Sequence, residues 1–356
     1  MDLSTFKAWI AAIKARPKTA FVLSIAAAIL SAVAYYQPDL IPDFENNNEP
    51  PVELMGWAGP DAAEKAYAEL APTLPKFAIE GHEDSRGAIV HLWDFAKQLN
   101  GEHIPTATQL VGDCVSQGAA NAVNYLAAME IVRLGEHEEL RLAFAPYIYG
   151  SARAYVGGGR IPCNQDGAVG VWAAKALQQY GVLAADAEGC PEYSAKIARA
   201  WGCDGPPDQF QQLARAQIVK TFARVTTYDQ VRDALANGYP VTVASDVGFR
   251  MKGQVEDGKL WGIPKGNWAH QMCFVGIDDT ADVPRFAGGG KGAVYCLNSW
   301  GPDAHGESPD GAPPGGFWIG ANVVDRMVGQ GDSFAFSQFE GFKSQDLDFD
   351  VLLSSE

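Results

Sequence analysis

The longest run of apolar positions comes first. Residues 19–36 (TAFVLSIAAAILSAVAYY) carry no charge, with Lys14, Arg16 and Lys18 before them and acidic residues after. As a helix this run would span roughly 27 Å, barely a bilayer core. Three readings stay open. It is a membrane anchor, with the basic segment 1–18 in the cytoplasm and everything after residue 36 outside. It is a signal peptide, with Ala32-Val33-Ala34 fitting the cleavage site. Or it packs on protein inside a larger assembly such as a virus particle. Residues 37–60 are rich in Pro, Asn and acids and read as a solvated linker. In the whole 37–87 stretch only 61–71 (DAAEKAYAELA) keeps a helical pattern.

A folded domain is expected over 88–343, with Val90-His-Leu-Trp93 as its first apolar run. Its first part, about 106–215, has helical periodicity. Residues 114–133 place Val115, Ala119, Ala122, Val123 and Leu126 on one face. A second helix over 168–180 stops at Gly181. A third, 228–237, opens with the capping-box pattern Thr227-x-x-Gln230 and closes at Gly238. The period then shifts to strands within about 216–340: Tyr239–Ser245, Gln271–Ile277, Ala293–Leu297 and Phe317–Ile319, with Gly and Pro clusters between. The chain thus reads as α+β. The tail 344–356 is acidic and expected to be exposed.

Composition changes this picture little. A net charge of −16 argues against nucleic acid as a partner. The six cysteines form no CxxC pair, so neither a zinc site nor another metal or cofactor is expected. Cys273 and Cys296 read as core residues. Cys190 and Cys203 flank a short aromatic segment and are candidates for a disulfide in an oxidising compartment.

The chemistry gathers at Cys114. It opens the Ala-rich helix, where the helix N-terminus favours a thiolate. Among the six histidines, His270 sits at the start of a buried strand pattern, while His82, His91, His103, His137 and His305 lie in polar surroundings and read as surface. Asn298, at the end of the Val294–Leu297 strand, can accept from one ring nitrogen and orient His270. Trp300 can shield that bond. The Cys114 N–H and the Gln109 side-chain amide are candidates for binding an oxyanion.

The order Gln109, Cys114, His270, Asn298-Ser-Trp-Gly301 resembles the papain-like cysteine peptidases. So do Cys163-Asn-Gln-Asp-Gly167, the Tyr180-Gly-Val182 stop, Pro240-Val-Thr-Val243 and Gly315-Gly-Phe-Trp-Ile319. The resemblance, to divergent bacterial or phage members, covers about residues 90–340. It implies a two-lobed fold, a helical lobe carrying Cys114 and a β-barrel-like lobe carrying His270 and Asn298, with an extended peptide or protein substrate between them. It implies a Cys-His-Asn triad acting through a thioester, and a cleft lined by Gln165, Asp166 and Gly167 on one side and Ala244, Ala269 and Trp300 on the other. Val115 stands where the family has an aromatic, Val111 where it has a cysteine, so that Cys163 lacks its family partner, and Gln271 where a small residue is usual. Gln109 is one residue nearer Cys114 than in the family. Residues 37–87 are short for the family's inhibitory propeptide and receive no such role. The rival reading is a catalytically weak or inactive structural or binding protein that keeps this fold. The domain itself would be membrane-anchored outside the cytoplasm, secreted, or part of a particle.

Overall fold

The helix that begins at Cys114 determines how the rest is arranged. In the computed structural model it runs from Cys114 to Leu134. Its first fifteen side chains are almost all buried, on every side and not on the single face expected from the sequence. Ala and Gly at many of its positions let both helices and sheet approach its backbone closely. The structure describes residues 52–345 and 347, except 82–83, 136–138 and 216–218. The expectations for 1–18, for the apolar run 19–36 and for nearly all of the tail therefore lie outside the described residues. Among the described residues no helix is long and apolar enough to cross a membrane.

In chain order the helices are α1 (Pro60–Leu70), α2 (Leu92–Asn100), α3 (Cys114–Leu134), α4 (Ala145–Gly150), α5 (Gly170–Tyr180), α6 (Ala195–Asp204), α7 (Asp208–Ala214), α8 (Tyr228–Ala236) and α9 (Ala321–Val328). Capping follows the sequence in part. Thr227 Oγ1 accepts the Gln230 N–H at 3.3 Å, but Gln230 Oε1 turns to the Thr226 N–H at 2.7 Å, so the box closes one residue early.

The strands are β1 (Ile79–Glu80), β2 (Ile89–His91), β3 (Thr221–Arg224), β4 (Val241–Phe249), β5 (Gln254–Glu256), β6 (Lys259–Trp261), β7 (Pro264–Asp282), β8 (Lys291–Leu297), β9 (Gly316–Gly320), β10 (Asp332–Ser337) and β11 (Phe342–Lys343). Nine of them form one sheet in the order β3-β10-β4-β7-β8-β9-β6-β5, with β2 paired to β7. Its end strands β3 and β5 are not paired with each other, so the β lobe is an open sheet and not a barrel. Strand β7 is long enough to serve several neighbours: it pairs antiparallel with β4, β8 and β2. It thereby carries His270 beside Ser245 and Gln271 beside Ala244.

Two expectations need correction here. The folded part begins well before residue 88. Helix α1 is held to the sheet by Arg224, which stacks 3.6 Å from the Tyr67 ring centre and bonds Glu64 at 3.0 Å, and β1 pairs with β11. The disulfide joins Cys163 to Cys203, leaving Cys190 free. The last turn of α6 brings Cys203 within 4.9 Å (Cα to Cα) of Cys163 in the 161–167 loop, a proximity that chain order does not reveal. The same loop is held from inside by buried Arg153, whose guanidinium donates to the carbonyls of Pro162, Gln165 and Gly167.

Candidate active site

Cys114 is the first residue of α3 and is wholly buried. Its sulfur accepts the N–H of Gln271 at 3.4 Å, and the Gly56 N–H also points to it. Gln271 is the residue after His270, so the thiol lies against the base-bearing strand. Burial pushes the thiol up to about 12; the two N–H groups oppose this, and the neighbouring Asp113 carboxyl adds to it. Asp113 is itself buried, which raises it to about 7 against the hydrogen bonds from Gln117 and Tyr193. Gln271 also donates from Nε2 to the Val115 carbonyl at 2.7 Å. Gly118, one turn along α3, makes room for it: a Cβ there would stand 3.2 Å from the Gln271 side chain.

Across β7 and β8, His270 Nε2 lies 2.7 Å from Asn298 Oδ1. The Trp300 ring covers this pair, its centre 4.5 Å from the imidazole. Behind Asn298 stands His305, with Nε2 2.8 Å from Asn298 Nδ2 and Nδ1 2.8 Å from the Met251 carbonyl. One carbonyl therefore fixes the whole chain of protons. Met251 O only accepts, so His305 Nδ1 carries the hydrogen and Nε2 is bare. The Asn298 amide nitrogen must face that bare nitrogen, so its oxygen faces His270, whose Nε2 donates. His270 Nδ1 is left bare and buried without a partner, the state in which it can take a proton from a thiol. Burial lowers both imidazoles to about 4. No hydrogen bond joins Cys114 to His270. His305 is 1% exposed, not the surface residue its polar sequence neighbours imply.

Gln109 is brought to the site but is not free. Its Nε2 donates to the carbonyls of Leu54 and Val111, both at 2.8 Å, and its Oε1 accepts from Ser299 Oγ at 2.6 Å. Both amide hydrogens are thus committed within the protein, and none points to an oxyanion position.

The partner that occupies Gln109 belongs to a segment expected in the linker. After a single helical turn at Val52–Leu54, residues 55–58 run on as an extended chain between Ala168 and Ala269. The Ala168 N–H bonds the Gly56 carbonyl at 2.8 Å, the Ala58 N–H bonds the Ala168 carbonyl at 3.0 Å, and the Trp57 N–H bonds the Ala269 carbonyl at 3.0 Å. Both lobes are therefore joined through it by backbone bonds, as in a parallel bridge between Trp57 and Ala168. Gly56 passes so close to the loop before Cys114 that a Cβ would meet the Gly112 carbonyl oxygen at 1.9 Å. The Trp57 indole is buried and donates from Nε1 to Asp332 Oδ2 at 2.8 Å.

The other cleft candidates divide. Ala269 contributes its carbonyl, and Gly167 lies beside the Gly56 carbonyl. Ala244 is buried in β4, paired with both Gln271 and Asp332. Asp166 is bonded by Arg199, and Gln165 is exposed. Asp332, His305 and residues 54–58 were not picked out from sequence. The one available signal was the apolar patch Leu54-Met-Gly-Trp-Ala58 inside a polar stretch. Among the described residues no group of His, Cys, Asp and Glu side chains gathers as a metal site would require.

Solved structures set this arrangement in context. The digestive procathepsin L 3 of Tenebrio molitor larval midgut aligns with a TM-score of 0.50 at 14% identity, over 94% of this chain and 99% of that one. The fold is papain-like. Xylellain, a cysteine protease from Xylella fastidiosa, aligns at 0.49 and 17% identity, covering 74% of this chain and 92% of its own. The cysteine protease and lectin-like domains of Cwp84 from Clostridium difficile align at 0.49 and 15% identity, with coverages of 79% and 60%. No protein-family model and no curated protein matches the sequence. Helix α3 carries Cys114, strand β7 carries His270, and Asn298 directly follows strand β8.

Proposed function

We propose that the chain is a cysteine peptidase held closed by its own residues 54–58. Cys114 is the nucleophile, His270 the proton shuttle and Asn298 the group that orients His270. One observation carries this reading: the His270–Asn298 bond of 2.7 Å, with the remaining ring nitrogen bare and the thiol bonded to the very next residue of the same strand. In the closed form the thiol and imidazole are both neutral, because burial penalises each charge. Withdrawal of the segment admits water, relieves that penalty and frees one hydrogen of the Gln109 amide from Leu54. The thiol proton then passes to His270 Nδ1 and the sulfur attacks a peptide carbonyl. The oxyanion forms at the α3 N-terminus, near the Cys114 N–H and Gln109. The leaving amine takes the proton from His270, and water hydrolyses the thioester with His270 as base.

A second reading, a binding protein that keeps the fold without turnover, is favoured by the missing Cys114–His270 bond and the committed Gln109. Labelling with a thiol-directed epoxide separates the two. The Trp57→Ala chain, which loses the anchor of the segment, is expected to be modified at Cys114 and to hydrolyse peptides, and Cys114→Ala to abolish both. An opened chain that is folded yet neither labelled nor active would overturn the peptidase reading.

A further inference from the structure

Trp57 is held as a ligand is held. Its backbone neighbours pair with Ala168, its own N–H bonds Ala269, and its side chain leaves the segment to enter a pocket of the papain-like body. The floor of that pocket is Asp332, which opens β10 and is completely buried. The carboxylate has three donors: the Gly170 N–H at 2.6 Å, the Val171 N–H at 2.9 Å and the indole Nε1–H at 2.8 Å. Two belong to the first turn of α5 and stay with the protein. The third comes from the occupant. Gly170 keeps the wall thin: a Cβ there would stand 3.0 Å from the Asp332 carboxyl carbon and 2.8 Å from Gln271 Oε1.

The floor chemistry selects its occupant. Burial raises Asp332, but the α5 N–H groups, the indole and the charge of Arg224 oppose this. The carboxylate thus already faces a helix N-terminus and a cation. A buried cation would bring its own desolvation cost, whereas a neutral donor on a flat apolar body satisfies a further lone pair and fills the space. Phe fills the space but leaves the lone pair bare, a penalty that buried acceptors make steep. The two backbone groups of Ala168 and the carbonyl of Ala269 serve an extended chain of any sequence, so selectivity rests on the side chain opposite Ala168.

We propose that the Asp332 pocket is a specificity site for an indole, and that the ligands of the opened cleft are extended peptides with Trp at the residue paired with Ala168. Trp57 is the intramolecular occupant of that site. Cleavage of such peptides rests on the peptidase reading; their binding does not.

The test uses the full chain carrying Trp57→Ala and Cys114→Ala, which vacates the pocket and forbids turnover. Acetylated pentapeptides that differ at one position (Trp, 1-methyl-Trp, Phe or Arg) are titrated by calorimetry. Trp is expected to bind at least about tenfold more tightly than 1-methyl-Trp and Phe, since 1-methyl-Trp keeps the ring but carries a methyl group in place of the donated hydrogen and Phe has no donor. Asp332→Asn on the same background is expected to erase most of that difference. If Asp332→Asn does not fold, the comparison of Trp with 1-methyl-Trp decides alone. If Trp57→Ala does not fold, Gly56→Ala displaces the segment instead. Equal binding of Trp and 1-methyl-Trp, tighter binding of the Arg peptide, or no binding of any would overturn the proposal. Hydrolysis by the Cys114-containing chain is measured separately. Trp-selective binding without hydrolysis sinks only the peptidase reading, and hydrolysis without Trp selectivity sinks only the pocket.

Discussion

On the proposed peptidase reading, replacing His305, which touches no substrate in the arrangement described, should reduce turnover. It is a positioning residue whose bare Nε2 meets Asn298 Nδ2 at 2.8 Å. Three contacts hold the amide in the orientation that presents its oxygen to His270: His270 itself, the Ser299 N–H at 2.7 Å and His305. His305→Ala deletes one of them and leaves a buried N–H unpaired, a penalty of about 1–3 kcal/mol. Part of that is relieved by water or by rotation of the amide. About 1–1.4 kcal/mol of lost positioning corresponds to a fall in kcat of roughly five- to tenfold. KM should stay within about twofold, since the Ala168 and Ala269 backbone groups are untouched. His305→Gln, which can offer a carbonyl oxygen to the same N–H, should recover most of the loss. Steady-state kinetics on the Trp57→Ala background measures both. Equal loss in Ala and Gln variants, or an effect confined to KM, would refute the positioning argument and leave His305 a packing residue.

Two further outcomes follow from charge and connectivity. His270 and His305 both have lowered values of about 4, so below their ordinary 6.5 the unfolded chain binds protons that the folded chain refuses. Their contribution to stability is complete above that value and is lost as pH falls from there through about 4, while that of Asp113, raised from 3.8 to about 7, is complete below 3.8 and is lost as pH rises from there through about 7. Thermal melts should therefore peak just below neutral pH, where two histidines outweigh one carboxyl, and Asp113→Asn should steepen the rise from about 4 to 6.5; a melt insensitive to pH between 4 and 8 would contradict this. Cys163→Ser opens a bridge with a sequence separation of 40, worth about 4 kcal/mol by the loop-entropy relation. A melting temperature within a degree of wild type would show that Arg153 already fixes the loop.

Three parts of the candidate site could be singled out because they carry strong local patterns. Cys114 stands where an Ala-rich period begins, His270 stands on β7 and Asn298 just after β8, and the antiparallel pairing of these two strands is the simplest one available. The sheet's closure was misjudged, since short strands such as β3 and β5 signal nothing about which edges meet. His305 was hidden for a physical reason. Its neighbours Asp303, Ala304 and Gly306 look like a solvent loop, and its burial comes from Trp268, Trp300 and Phe317, which only the folded sheet brings around it. Asp332 was hidden likewise. A carboxylate in a strand reads as a surface residue until the first turn of α5 is placed over it. Residues 54–58 form no helix or strand period, because what orders them is backbone pairing with residues more than a hundred positions away.

The coexistence of a disulfide with free cysteines has a consequence for chemical survival. Surroundings that keep Cys163 joined to Cys203 also drive an exposed low-pKa thiol towards sulfenic and then sulfinic acid. Attack on an oxidant needs the thiolate and a path to it, and Cys114 has neither while it is wholly buried with the Gly56 N–H against its sulfur. The segment proposed to hold the peptidase closed would therefore also be a sheath against oxidants. The period of chemical vulnerability begins only when it is withdrawn, so peroxide resistance of the intact chain, compared with Trp57→Ala, should track the exposure of the thiol and not its identity.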